Sequence, residues 1–235
     1  MLRSGVDETP HPPAEESPAP SWSLTPEEVR VLGCLLEKAA TTPEQYPLTM
    51  NSLVAACCQK TNRDPVVDYN EALVEEAIAG LRSNGLALLV SVAGSRVAKF
   101  QHALHRVYPD LNDPGTALLT VLLLRGRQTL GELRTRTERI FAFDSLDDVQ
   151  AALDELVCFP PRQLVQELPS GDGHRVPTFI HLLGDPSAQP TTPHLPSDQT
   201  PATNWRHDME QTIAELRTEV ASLRKELDEF RNQFG

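Results

Sequence analysis

Few residues of this chain are equipped for chemistry. Seven histidines and four cysteines could ligate a metal or act as nucleophile and base, and two clusters of Lys and Arg could hold an anion. Cys34, Cys57, Cys58 and Cys158 form no CxxC pair. Each falls in a predicted helix on or beside an apolar stripe, as a small buried hydrophobe would. His102 and His105 stand three apart after a predicted strand, too little for a metal site without a third ligand. Gly171-Asp172-Gly173 lacks the strand-to-helix setting of a phosphate loop. The reading is therefore a protein that is not an enzyme, with no catalytic residue, no cofactor and no metal.

The basic groups are more informative. Lys60 and Arg63 lie in a turn between two helices, where they would share a surface with Arg96 and Lys99 of a following hairpin. Arg134, Arg136 and Arg139 lie in the corresponding turn of a second unit, with Arg125 and Arg127 nearby. These positions suit contact with phosphates or with an acidic protein face; solvated side chains are the plain alternative. Arg63, inside Asn62-Arg63-Asp64, has a second reading, in which it ties its turn to a carboxylate.

The elements that position them follow from local signals. Thr25, Pro26 and Glu28 write a capping box for a helix over 25–40, with Val29, Leu32, Leu36 and Ala39 on its apolar stripe. Thr49 starts a short second helix. Asp68 with Glu71 is read as the start of a third, stopped by Gly85. Strands at 86–92 and 96–101 flank Ala93-Gly94-Ser95, a wing. From Asp113 the order recurs: a helix to Leu124, a capping box at Thr129 and Glu132, a third helix from Ser145 and Asp148, then strands at 163–168 and 176–182. The fold class is mainly α with small β-wings: two tandem winged helix-turn-helix domains, at 24–107 and 108–184.

Residues 1–23 are rich in proline and poor in large apolar side chains and read as a disordered tail, with Trp22 docking at the domain's edge. Residues 185–204 read as a Pro-rich linker. Over 205–235, Met209, Ile213, Leu216, Val220, Leu223, Leu227, Phe230 and Phe234 alternate steps of four and three. That 3.5-residue period predicts a coiled-coil helix and a parallel homodimer, with Glu219 facing Arg224 of a second copy.

Charge limits the partners. The net charge is −12, and no segment of the chain is basic. The outward side of the first unit's third helix carries Glu71, Glu75 and Glu76 against Arg82. Its counterpart carries Asp147, Asp148, Asp154 and Glu155 with no Lys or Arg from 145 to 158. Duplex DNA presents about one negative charge per 1.7 Å of axis, so these faces would be repelled. No apolar run is long enough to span a membrane and no signal peptide is visible, which reads as a cytoplasmic protein.

The strings Leu24-Thr-Pro-Glu-Glu, Leu35-Leu-Glu-Lys, Thr42-Pro-Glu-Gln-Tyr-Pro-Leu and Gln59-Lys-Thr-Asn-Arg-Asp-Pro, then Leu123-Leu-Arg-Gly-Arg-Gln-Thr and Gly131-Glu-Leu-Arg-Thr-Arg, resemble the YceH-like family of uncharacterised bacterial proteins. The resemblance covers roughly 24–184 and implies tandem winged helices in a bacterial cytoplasmic protein; it implies no activity or site residue. Two expectations follow. The first is a regulatory or adaptor protein that binds a protein partner, with weak contact to the DNA backbone. The alternative is a sequence-specific DNA-binding transcriptional regulator.

Overall fold

The first helix, α1 (Pro26–Thr41), begins as its punctuation dictates. The Thr25 side chain accepts from Glu28 N, and the Glu28 carboxylate accepts from Thr25 N at 2.8 Å. The computed structural model describes residues 22–90, 97–171 and 175–185. Arg96, Gly94, residues 186–204 of the linker and the heptad residues Met209 to Phe234 lie outside them.

Beyond α1 the chain runs β1 (Leu48–Thr49), α2 (Met50–Cys57), α3 (Glu71–Ser83), β2 (Ala87–Val90), β3 (Lys99–His102) and a short α4 (Leu104–Val107). The second half repeats this as α5 (Asp113–Arg125), β4 (Gln128–Thr129), α6 (Leu130–Thr137), α7 (Leu146–Val157), β5 (Val165–Leu168) and β6 (Thr178–His181). The described residues are thus mainly helical, with two small antiparallel sheets of order β1-β3-β2 and β4-β6-β5.

The two-residue strands carry no period-2 pattern to announce them. Thr49 and Thr129 each cap the next helix from extended backbone, and that same backbone pairs with the last strand of its half. One residue thus fixes both the helix start and the sheet edge. α3 departs from its expected start: the N-cap is Asn70, whose Oδ1 accepts from Leu73 N at 2.9 Å, not Asp68. The Tyr69 backbone N–H donates to Cys58 Sγ at 3.2 Å, and that thiol lies 3.4 Å from Tyr69 O. This distant tie engages the Tyr69 N–H ahead of the helix, and the extended residue that caps α3 is Asn70. Cys58 is thereby a polar tether, and Cys158 is exposed at the end of α7; Cys34 and Cys57 are buried.

The two halves pack through α1 against α5. A Cβ at Gly33 would stand 2.8 Å from Leu124 Cδ2 and 3.1 Å from Leu123 Cβ, so a bare glycine lets the helices approach. The described residues lie in one compact unit, and the apolar core runs unbroken from Leu24 to Leu183. Its ends are joined: Leu24 N donates to Leu183 O at 2.8 Å, and Leu24 bridges Gly184 in parallel. Half-buried Trp22 lies beneath Arg162, whose guanidinium sits 5.5 Å from the ring centroid and whose Nη1 donates to Trp22 O.

Candidate functional site

The Gln59–Pro65 turn that follows α2 is where the candidate residues divide. Arg63 is buried. Its Nη1 and Nη2 donate to Glu37 Oε1 and Oε2 on α1 at 3.2 and 2.6 Å, and its Nε donates to Ala56 O at 3.1 Å. Asn62 O and Gln59 Oε1 take further donors, so the guanidinium is fully engaged. Arg63 is therefore a turn anchor with no surface to offer a partner. Planar fork geometry suits it to this bidentate carboxylate, as a lysine would not.

The same turn holds the second half in place. Asn62, at φ 59, accepts from Arg125 Nη2 through Oδ1 at 2.6 Å, and Asp64 N donates to Leu124 O at 2.9 Å. Arg125 thus leaves the basic cluster for a packing role. Burial holds its pKa below the ordinary value, and neighbouring Arg136 pushes the same way.

What the fold does gather is a groove of about 290 Å³ between the halves, walled in part by Asn62, Arg125, Thr135, Arg136 and Arg139. Arg136 is partly exposed and pairs with Glu132 at 3.1 Å one turn back. Arg139 is exposed and makes no hydrogen bond or ion pair among the described residues. Glu37, already matched by Arg63, and Glu138 complete the charged wall. Two arginines over a small groove can hold one oxyanion of a phosphate or an acidic side chain. The other candidates stand apart. Arg134 donates to Asp144 O at 2.8 Å, Lys60 is exposed on the first turn, and Lys99 is half-buried in β3.

The third helices keep their charge outward. Glu71, Glu75 and Glu76 on α3 and Asp147, Asp148, Asp154 and Glu155 on α7 are all exposed, against Arg82 alone. Several of the α7 acids also serve the fold. Asp148 closes a capping box with Ser145, Asp154 accepts from Gln150, and Glu155 accepts from Asn112 Nδ2.

Two histidines acquire an environment that composition did not foretell. His102 and His181 each end the last strand of their half, paired with Ala87 and Val165. Burial pushes both pKa values down to about 4, with His105 adding repulsion at His102. Both side chains are therefore neutral at physiological pH. Among the described residues no group of three or more His, Cys, Asp or Glu is placed to hold a metal, and no helix is long and apolar enough to cross a membrane.

Sequence comparison gives this architecture a family. The family described as "Protein of unknown function, DUF480" matches residues 24–174. A UPF0502 protein of Opitutus terrae is 43% identical over 221 residues, spanning 92% of each chain. One of Geotalea uraniireducens is 45% identical over 214 residues, spanning 88% of this chain and 96% of its own. A third, of Mesorhizobium japonicum, is 42% identical over 211 residues, spanning 87% and 95%.

Proposed function

The chain belongs to the DUF480 family of bacterial proteins, and on that footing we propose that it is a non-enzymatic, cytoplasmic regulatory adaptor. Each half is read as a winged helix-turn-helix whose third helix faces a protein partner. The observation that carries this reading is the charge on α3 and α7: seven exposed carboxylates against one exposed arginine. A helix laid in the major groove needs cations for the phosphates that flank it. These helices would bring like charge there, whereas a basic protein surface would be attracted to them.

Contact with a DNA backbone is left to the groove of Arg136 and Arg139. In this reading the 205–235 heptads join two copies in parallel, so that each partner site is presented twice. Fluorescence anisotropy with random duplex DNA across a salt series tests the assignment. The expected result is weak binding that falls steeply with salt and is reduced equally for all sequences by Arg136→Ala with Arg139→Ala. Tight, sequence-selective binding at physiological salt that survives both changes overturns it in favour of a DNA-binding regulator. Sedimentation of the full chain against a chain ending at Gly184 tests the dimer; a monomeric full chain at tens of micromolar, or an equally dimeric truncation, refutes it.

A further inference from the structure

Of the charges buried on α1, Glu37 is matched and Arg30 is not. Arg30 is only 4% exposed. Its Nη2 donates to Pro65 O at 2.6 Å, while its Nη1 is buried with no hydrogen-bond partner. No ion pair among the described residues includes it. Burial holds its pKa below the ordinary value, and Arg63 adds repulsion. A guanidinium withdrawn from water without a counter-ion is costly to fold around, and fork geometry makes a carboxylate its best match.

Arg30 forms part of the wall of a cavity of about 250 Å³ on the seam between the halves. Leu24, Val29 and Tyr69 contribute from the first half, and Leu123 and His181 from the second. Exposed Asp64 and Asp185 also stand in its wall. The lining is thus largely apolar, with one buried cation, and two rim acids disfavour a multiply charged anion.

We propose that this cavity binds a small monocarboxylate with an apolar body, an aromatic or branched aliphatic acid, whose carboxylate pairs with Arg30. Shape and charge agree with that class. The volume holds one ring or one short branched chain, the apolar wall covers its body, and Arg30, in the wall and without an ion pair among the described residues, supplies the cation for its carboxylate. A ligand there would touch both halves at once. The site stands independently of the adaptor reading, because none of its residues lies on the acidic helix faces.

Calorimetric titration and thermal melting of the full-length chain test the proposal. The probes are benzoate, phenylacetate and isovalerate, with benzamide as the neutral isostere and inorganic phosphate and matched sodium chloride as controls. At least one carboxylate should bind once per chain and raise the melting midpoint, with benzamide and phosphate inert. Arg30→Met should weaken binding roughly tenfold or more. Val67→Trp, which fills the cavity from its wall and leaves Arg30 in place, should abolish it; this second variant decides the matter where Arg30→Met does not fold. Failure of all three carboxylates, equal binding of benzamide or phosphate, or binding that survives Val67→Trp overturns the assignment.

Discussion

The two halves share one architecture and differ in what their first helices bury. Counted from the N-caps Thr25 and Asn112, Arg30 corresponds to Ala117 and Glu37 to Leu124. Counted from Thr49 and Thr129, Arg63 corresponds to Phe143. α1 buries Glu28, Arg30 and Glu37, whereas the interior of α5 is aliphatic apart from Thr120 and Gly115. Where the first half is closed by an ion pair inside the protein, the second has leucine and phenylalanine at the same offsets. The shared architecture is therefore indifferent to the polarity of this position. Charge in α1 is an addition to the fold, and it is concentrated beside the seam where both cavities lie.

The sharpest way to break this comparison is to remove one member of the buried pair. Glu37→Leu leaves Arg63 charged, buried and unmatched, and should cost about 3–5 kcal/mol in urea unfolding. Adding Arg63→Phe, which copies the second half, should recover much of that loss in a double-mutant cycle. Complete additivity would show that the two halves are not interchangeable at this position.

Acid should act on both halves alike, through the matching histidines. Their folded pKa values, about 4, lie below the ordinary value of 6.5, so the unfolded chain takes up the protons first. Stability is then complete above about pH 6.5 and is lost as pH falls toward 4. For deeply buried His181 the loss is on the order of 3 kcal/mol. Unfolding midpoints followed against pH should flatten in His181→Gln, and a slope unchanged by that substitution would dismiss the histidine as its source.

The seam itself is probed by Gly33→Val, whose added methyls meet Leu123 and Leu124; overpacking there should cost about 1–3 kcal/mol in thermal melts. The smallest effect is expected at Arg136→Gln. Its partly exposed pair with Glu132 is the kind worth about 0.3–0.5 kcal/mol, in contrast to the buried pair of the first half. A loss as large as that of Glu37→Leu would mean that Arg136 also anchors the fold.

The sequence alone determined what depends on neighbours a few residues away. The capping boxes at Thr25 and Glu28, Thr129 and Glu132, and Ser145 and Asp148 form as written because their partners are three positions apart. The acidic outer sides of α3 and α7 were legible for the same reason, since helical periodicity separates them from Val74, Ile78, Val149 and Leu153. One further signal was open to reading: Arg30, Cys34 and Glu37 stand at i, i+4 and i+7 and make a polar stripe among the buried residues of α1. Tertiary structure decided everything that needed a distant partner. Cys58 engaged the Tyr69 N–H ahead of Asn70, the cap of α3; β3 and β6 turned two cap residues into strand edges; and Glu37 drew Arg63 out of the basic surface into the interior. The pairing of Arg30 with a cavity shared by Leu24, Leu123 and His181 has the same cause. Local sequence sets backbone dihedrals and helix faces, whereas burial of a charge is set by whichever groups the chain brings beside it from far along its length.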